Sequence, residues 1–202
     1  MLASLLAFTL AAALLTVTPG ADTLLVVRFA AGRGPHAGLA AACGILTGVL
    51  AWGAIVAVGV AALIVASPWL FSTIQWAGAA YLIWLGLQLL LPTASPAQSA
   101  SAPRSDSPFL SGLLTNLLNP KVGVFYLAFL PPFIPAGVPH GPFIFLLAAI
   151  HALLGLIWFL ILIAGIGRAS NKFANSRLSG ILAKLTGLLF VGFGARLVLN
   201  SR

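Results

Sequence analysis

The chain has 202 residues, 61% of them hydrophobic and 6% charged, with a mean hydropathy of +1.13. A soluble domain is roughly 25% charged, so this composition cannot clothe a water-facing surface, and a soluble globular protein is excluded. Ten Lys and Arg against two Asp and Glu give a net charge of +8, but these cations do not gather on one face as nucleic-acid binding requires, and the single Cys43 rules out an intramolecular disulfide or a thiolate metal cluster.

No charged residue lies between Arg33 and Arg104, nor between Lys121 and Arg168. A membrane span takes about 20 apolar residues, so each interval holds more than one helix. Six spans fit, near Leu2 to Val27, Gly38 to Ala66, Trp69 to Leu91, Ser111 to Ile134, Phe143 to Gly167 and Ser179 to Leu199. The turn signals between them include Gly34-Pro35, Ser67-Pro68 and Pro139-His140-Gly141-Pro142. The N-terminus lacks the basic flank of a cleaved signal peptide, so its apolar run is expected to stay as a helix. Residues 92–110 are rich in Ser, Pro and Ala, a linker composition. That stretch divides the single membrane domain, residues 1–202, into halves at 1–91 and 111–202.

Basic residues set the orientation. Arg28, Arg33, Arg104, Arg168, Lys172, Arg177 and Lys184 lie in or beside the first, third and fifth connections, whereas the other side has only Arg196 and Arg202 near the C-terminus. The odd connections, with the linker, should therefore face the cytoplasm, and both termini should lie outside.

The halves look alike. Thr18-Pro19-Gly20 heads the first as Asn119-Pro120-Lys121 heads the second. Gly34-Pro35-His36 pairs with Val138-Pro139-His140, and Ala77-Gly78-x-x-Tyr81-x-x-Trp84 with Thr186-Gly187-x-x-Phe190-x-x-Phe193. A unit of three helices crosses the membrane an odd number of times, so its second copy enters from the opposite side. The expected fold is thus an all-α polytopic membrane protein of six transmembrane helices, arranged as two inverted three-helix repeats with Pro-broken first and fourth helices. Secondary transporters build central sites in this way; the alternative is that apolar helices bearing Gly and Pro resemble one another by chance.

A proline removes one backbone donor and strands a carbonyl one turn back, which is costly in hydrocarbon. The groups around the two breaks are accordingly the candidate substrate-binding or coupling residues: Thr18, Pro19, Gly20, Asp22, Asn119, Pro120 and Lys121. Asp22 is the one acid in an expected span, suited to a substrate ammonium or a coupled proton; the plainer reading has it reaching water or Arg28. Lys121 suits a carboxylate, or pairs with Asp22, or snorkels to the interface. His151 sits near mid-span, where backbone hydrogen bonding is favoured over proton relay. His36 and His140 are expected in turns, and Gln75 and Gln88 near span ends. The small-residue stripe Ala40, Gly44 and Gly48 reads as helix packing, not chemistry, and some of the five Trp as an interfacial belt.

At these motifs the sequence resembles the LysE/RhtB-type amino-acid exporters of bacteria. The resemblance is carried by Thr18-Pro19-Gly20-Ala21-Asp22, Gly44-x-x-x-Gly48, Trp76-Ala-Gly-Ala-Ala-Tyr81-Leu-Ile-Trp84-Leu-Gly86 and Asn116-Leu-Leu-Asn119-Pro120-Lys121, in order along the chain. It implies gradient-driven export of an amino acid or related metabolite across the bacterial inner membrane, with no nucleotide-binding domain. Ala21 departs from the second Pro common in that family, which implies a milder break, and the family fills the position of Asp22 with Asp, Asn or other residues. Because its members take basic, neutral and sulfur-containing amino acids, the resemblance does not choose among them.

The expectation is an inner-membrane secondary exporter working by proton exchange, with membrane lipid and a small-molecule amino acid as partners, no nucleic acid, and a homo-oligomer left open. No catalytic group, metal site or cofactor is expected. The rivals are an intramembrane enzyme, for which a Gly-x-Ser-x-Gly type of motif is missing, and a membrane assembly subunit that carries no substrate.

Overall fold

A computed structural model describes residues 1–91, 106–165 and 177–200. The described residues are helical throughout their regular elements: α1 Leu2–Val17, α2 Ala21–Arg33, α3 Pro35–Ala66, α4 Pro68–Leu90, α5 Pro108–Leu117, α6 Pro120–Val124, α7 His140–Gly165 and α8 Arg177–Asn200. A π turn at Phe125–Phe129 and a 3-10 turn at Pro131–Phe133 follow α6.

Four stretches are long and apolar enough to cross a bilayer: Pro35–Gly59, Ser72–Leu90, His140–Gly165 and Gly180–Leu199. Two further ones qualify as bent pairs, Leu2–Val17 with Ala21–Arg33 and Pro108–Leu117 with Pro120–Phe133, each kinked by 50°. Among the described residues there are thus four candidate spans by length and composition, or six if each bent pair is one.

Both kinks arise where a proline excludes the preceding residue from helical geometry. Thr18 before Pro19 is extended at φ −70°, ψ 119°, and Asn119 before Pro120 at φ −78°, ψ 108°. The second half-helix restarts at once because the Asn119 side chain accepts the Lys121 N–H at 3.1 Å. Serines do the same at two true helix starts, Ser67 accepting Leu70 N–H and Ser107 accepting Leu110 N–H, each with Pro at the first helical position. The cap at Ser107 moves the end of the expected 92–110 linker: α5 already runs from Pro108. Two other expectations shift as well. Pro35 and His140 open α3 and α7, so His36 and His140 lie in first helical turns rather than in loops, and only Gly34, at φ +89°, is left to turn the chain between α2 and α3. Arg104, Arg168 and Lys172 fall outside the described residues.

Helices approach closely where side chains vanish. A Cβ on Gly44 would strike the Phe109 carbonyl, and one on Gly112 the Ala41 carbonyl, so α3 and α5 meet backbone to backbone. The antiparallel pair α4 and α8 meets similarly, at Gly86 and Gly187. The outer surface is apolar, with Leu10, Val58, Trp69, Trp76, Trp84 and Ile161 exposed, as lipid contact demands.

One end of the bundle is filled by rings. Phe8 of α1, Phe125 and Phe129 of the π turn, Phe133 and Phe193 of α8 pack with centroids 4.0–6.1 Å apart. A smaller apolar cluster, including Leu25, Ile45, Phe159 and Leu162, lies toward the α2 end.

Candidate substrate pocket

Between those two clusters the broken helices enclose a pocket of about 540 Å³, counting its mouth. Five of the seven residues expected at the site line it: Thr18, Gly20 and Asp22 from the first break, Asn119 and Lys121 from the second. Pro19 and Pro120 shape the breaks without being among its lining residues. Residues 101 positions apart in the chain thus share one cavity.

The polar floor begins with Asp22 in the first turn of α2. Its Oδ2 accepts a hydrogen bond from Asn116 Nδ2 of α5 at 2.7 Å, so an acid on the first broken helix is held by an amide on the second. The opposite oxygens, Asp22 Oδ1 and Asn116 Oδ1, are buried without a hydrogen-bond partner within the chain. Two orphaned acceptors in one pocket are costly to keep. Gly48 of α3 makes the room: a Cβ there would lie 2.7 Å from Asn116 Oδ1 and 2.9 Å from its Cβ. The stripe expected to be packing alone therefore also seats the partner of Asp22.

Lys121 turns toward the pocket. It is half-buried, and its Nζ lies where a Cβ on Gly20 would come within 3.8 Å, turned across to the first break. Among the described residues the one ion pair within 4.0 Å is Arg33 with Asp106, at 3.9 Å on the surface; Asp22 and Lys121 make no such close contact but act on each other through their charges. Pro19 has no N–H to offer the Leu15 carbonyl, and Leu15 and Thr16 both border the pocket. The N-terminus of α2 has no side-chain cap, so it presents bare N–H groups at Gly20 to Thr23 along the pocket wall.

Thr18 is committed elsewhere as well. Its hydroxyl lies 2.6 Å from both the Leu14 carbonyl and Thr186 Oγ1, and Thr186 in turn donates to Leu14 O at 3.2 Å. The hydroxyls add to the bond that the Leu14 carbonyl already accepts from Thr18 N–H and tie the break to α8.

His151 lines the pocket from α7. Its partner is a side chain and not the backbone: Nδ1 lies 3.2 Å from Tyr126 OH, the two rings stack at 5.8 Å, and Tyr126 sits in the π turn. Gln75 and Gln88 are not among the lining residues; Gln75 sits between α4 and α8 beside Trp76 and Leu197.

Sequence reasoning missed three of these groups. Asn116 was legible as a polar residue in an apolar span, three positions before Asn119 and so on the same helical face. Tyr126 carries no local signal and Gly48 only that of a packing stripe, since the role of each is defined by a neighbour on another helix. No group of three or more His, Cys, Asp or Glu among the described residues is placed to hold a metal.

Comparison with known proteins places this geometry in a family. The model of the LysE type translocator family matches residues 13–201. The uncharacterized membrane protein YrhP of Bacillus subtilis is 36% identical, over 96% of this chain and 97% of its own length. The leucine efflux proteins of Salmonella typhimurium and Salmonella typhi are each 33% identical, over 91% of this chain and 89% of theirs. No solved structure matches the chain.

Proposed function

Because the chain belongs to the LysE type translocator family, and is therefore a multi-pass membrane transporter and not an enzyme, we propose that it exports an amino acid or close relative from the bacterial cytoplasm by proton exchange. One observation carries the reading: the pocket between the two helix breaks offers an acid, a base and unpaired oxygens in a span that is otherwise apolar. A zwitterion brought into low dielectric needs a partner for each end. The ammonium binds between Asp22 Oδ1 and Asn116 Oδ1, the two buried acceptors without a partner. The carboxylate binds Lys121 Nζ and the uncapped N–H groups of α2, whose helix dipole favours an anion.

The pocket lies on the α2 side of the aromatic cluster, among residues of the first half of α3 and the second half of α7. In this reading it is the cytoplasm-facing state, with the rings of Phe8, Phe125, Phe129, Phe133 and Phe193 closing the far side. Export requires those rings to part while the α2 end closes, the rocking of two inverted repeats around a fixed site. Asp22 alternates between substrate ammonium and a proton, which ties outward substrate to inward proton. The basic residues on the odd connections put the α2 end in the cytoplasm and both termini outside.

Purified full-length protein in liposomes tests this with a panel of labelled amino acids. Asp22→Asn should abolish gradient-driven export and, because the ammonium loses its charged partner, weaken substrate counterflow without abolishing it. Loss of both in a folded protein assigns Asp22 to binding alone, and an effect on neither removes it from the site. A wild-type protein that moves no amino acid would instead be an assembly subunit.

A further inference from the structure

The polar floor occupies one side of the pocket; the opposite wall comes from α3 and α7 and has a different chemistry. On α7, His151, Gly155 and Phe159 follow one another at intervals of four, so they share a face and all three line the cavity. On α3, Val49 follows Ile45 by four and Leu46 by three, and all three line the cavity. Beyond His151 this wall offers no charge and no hydrogen-bonding side chain. At Gly155 the two helices pack closely, since a Cβ there would lie 3.0 Å from Leu46 Cδ2 and 3.9 Å from Phe159 Cε2.

The geometry points to a side-chain subsite for a neutral aliphatic amino acid, with Gly155 setting the largest side chain that fits. This rests on the reading that the polar floor holds the ammonium and carboxylate. With those ends held at the two breaks, the remaining direction open to the substrate's side chain is toward Leu46, Gly155 and Phe159. A basic or acidic side chain would bury a third charge there without a partner, at a cost far above what apolar contact returns. An aliphatic one replaces water against carbon. Leu46 and Phe159 already border the position of the missing Cβ at Gly155, so a methyl added there pushes Leu46 toward the room that the substrate's branch would take.

The test is counterflow into proteoliposomes of full-length protein, with labelled leucine and alanine measured in parallel. In the wild type, excess isoleucine or valine should compete with leucine, whereas lysine and glutamate should not. Gly155→Val fills the gap with carbon, and the ratio of leucine to alanine counterflow should fall at least about tenfold, the discrimination one or two methyl groups give in an apolar pocket. Leu46→Ala added to Gly155→Val should restore the ratio. If Gly155→Val inserts poorly, Gly155→Ala reads the same ratio with a smaller shift, since the Leu46 methyl must yield by only a few tenths of an ångström. Competition by lysine equal to that of isoleucine, or an unchanged ratio in a folded Gly155 variant, overturns the subsite. When Asp22→Asn still disrupts transport in that case, the pocket stands and the subsite alone falls; a wild type without amino-acid counterflow removes both.

Discussion

Gly48→Ala is the smallest change that separates chemistry from packing in this pocket. The added methyl would lie 2.7 Å from Asn116 Oδ1, 2.9 Å from its Cβ and 3.1 Å from its Cγ. Rotating the Asn116 amide away relieves the first contact but not the second, so the α5 backbone must also move. It has little room, because the carbonyls of Phe109 and Ala41 already rest on Gly44 and Gly112 one turn away. The displacement therefore falls on the Asn116 side chain, and with it on the 2.7 Å bond from Asn116 to Asp22. A hydrogen bond to a carboxylate is worth about 1.5–3 kcal/mol, so substrate affinity should weaken by roughly 10- to 150-fold. Overpacking adds about 1–3 kcal/mol of lost stability. Counterflow titrations give the first quantity and thermal unfolding in detergent the second, each also on Asn116→Ala and the double variant. The double should regain stability relative to Gly48→Ala, because the clashing group is gone, while its affinity stays at the level of Asn116→Ala. Affinity losses that simply add, or a folded Gly48→Ala protein with wild-type affinity, would refute the argument that Gly48 seats Asn116.

Two further outcomes follow from the same geometry. An alkaline phosphatase fused to the C-terminus should be active and a green fluorescent fusion dark; the reverse pattern overturns the orientation drawn from Arg28, Arg33, Lys184 and the other cations of the odd connections. In a Cys43→Ala background, single Cys at Thr18, Gly20, Asn119 or Lys121 should be protected from a small thiol reagent by transported substrate. The exposed native Cys43 on α3 of the parent chain serves as the control whose labelling does not change; unchanged labelling at all four positions places the site elsewhere.

The two breaks were legible because proline acts locally: its ring and missing N–H dictate the geometry of Thr18 and Asn119 wherever the rest of the chain goes. The cap at Asn119 was likewise implicit in its being an Asn before a Pro. What the sequence withheld was which face of each helix turns inward. In water an amphipathic stripe answers that question, but here lipid and core are equally apolar, so Leu153 outside and Leu147 inside α7 carry the same signature. Hence Asn116 could be read as polar without its partner 94 residues away, and His151 as mid-span without Tyr126. The π turn was hidden for a related reason. Pro131 and Pro132 announce that the helix ends, not that its last turn before them widens.

The unpaired oxygens decide what kind of solute such a site holds. Asp22 Oδ1 and Asn116 Oδ1 each forgo a hydrogen bond while buried, a standing cost of about 1–3 kcal/mol apiece. A ligand recovers that cost only by supplying donors to both, and one ammonium carries three. Alkanes supply none, and a hydroxyl supplies one while leaving the carboxylate charge uncompensated. Lys121 reverses the sign a few ångströms on, beside Gly20, so a solute bearing only an ammonium leaves that lysine unmatched. The α-amino acid satisfies both ends at once with a single tetrahedral carbon between them. In the proposed reading the two breaks, one contributing the acid and the other the base, select the zwitterionic head group, while the apolar wall of α3 and α7 selects the tail. Head and tail are read by different helices, so a variant on one set should change which amino acid is carried without changing that an amino acid is carried.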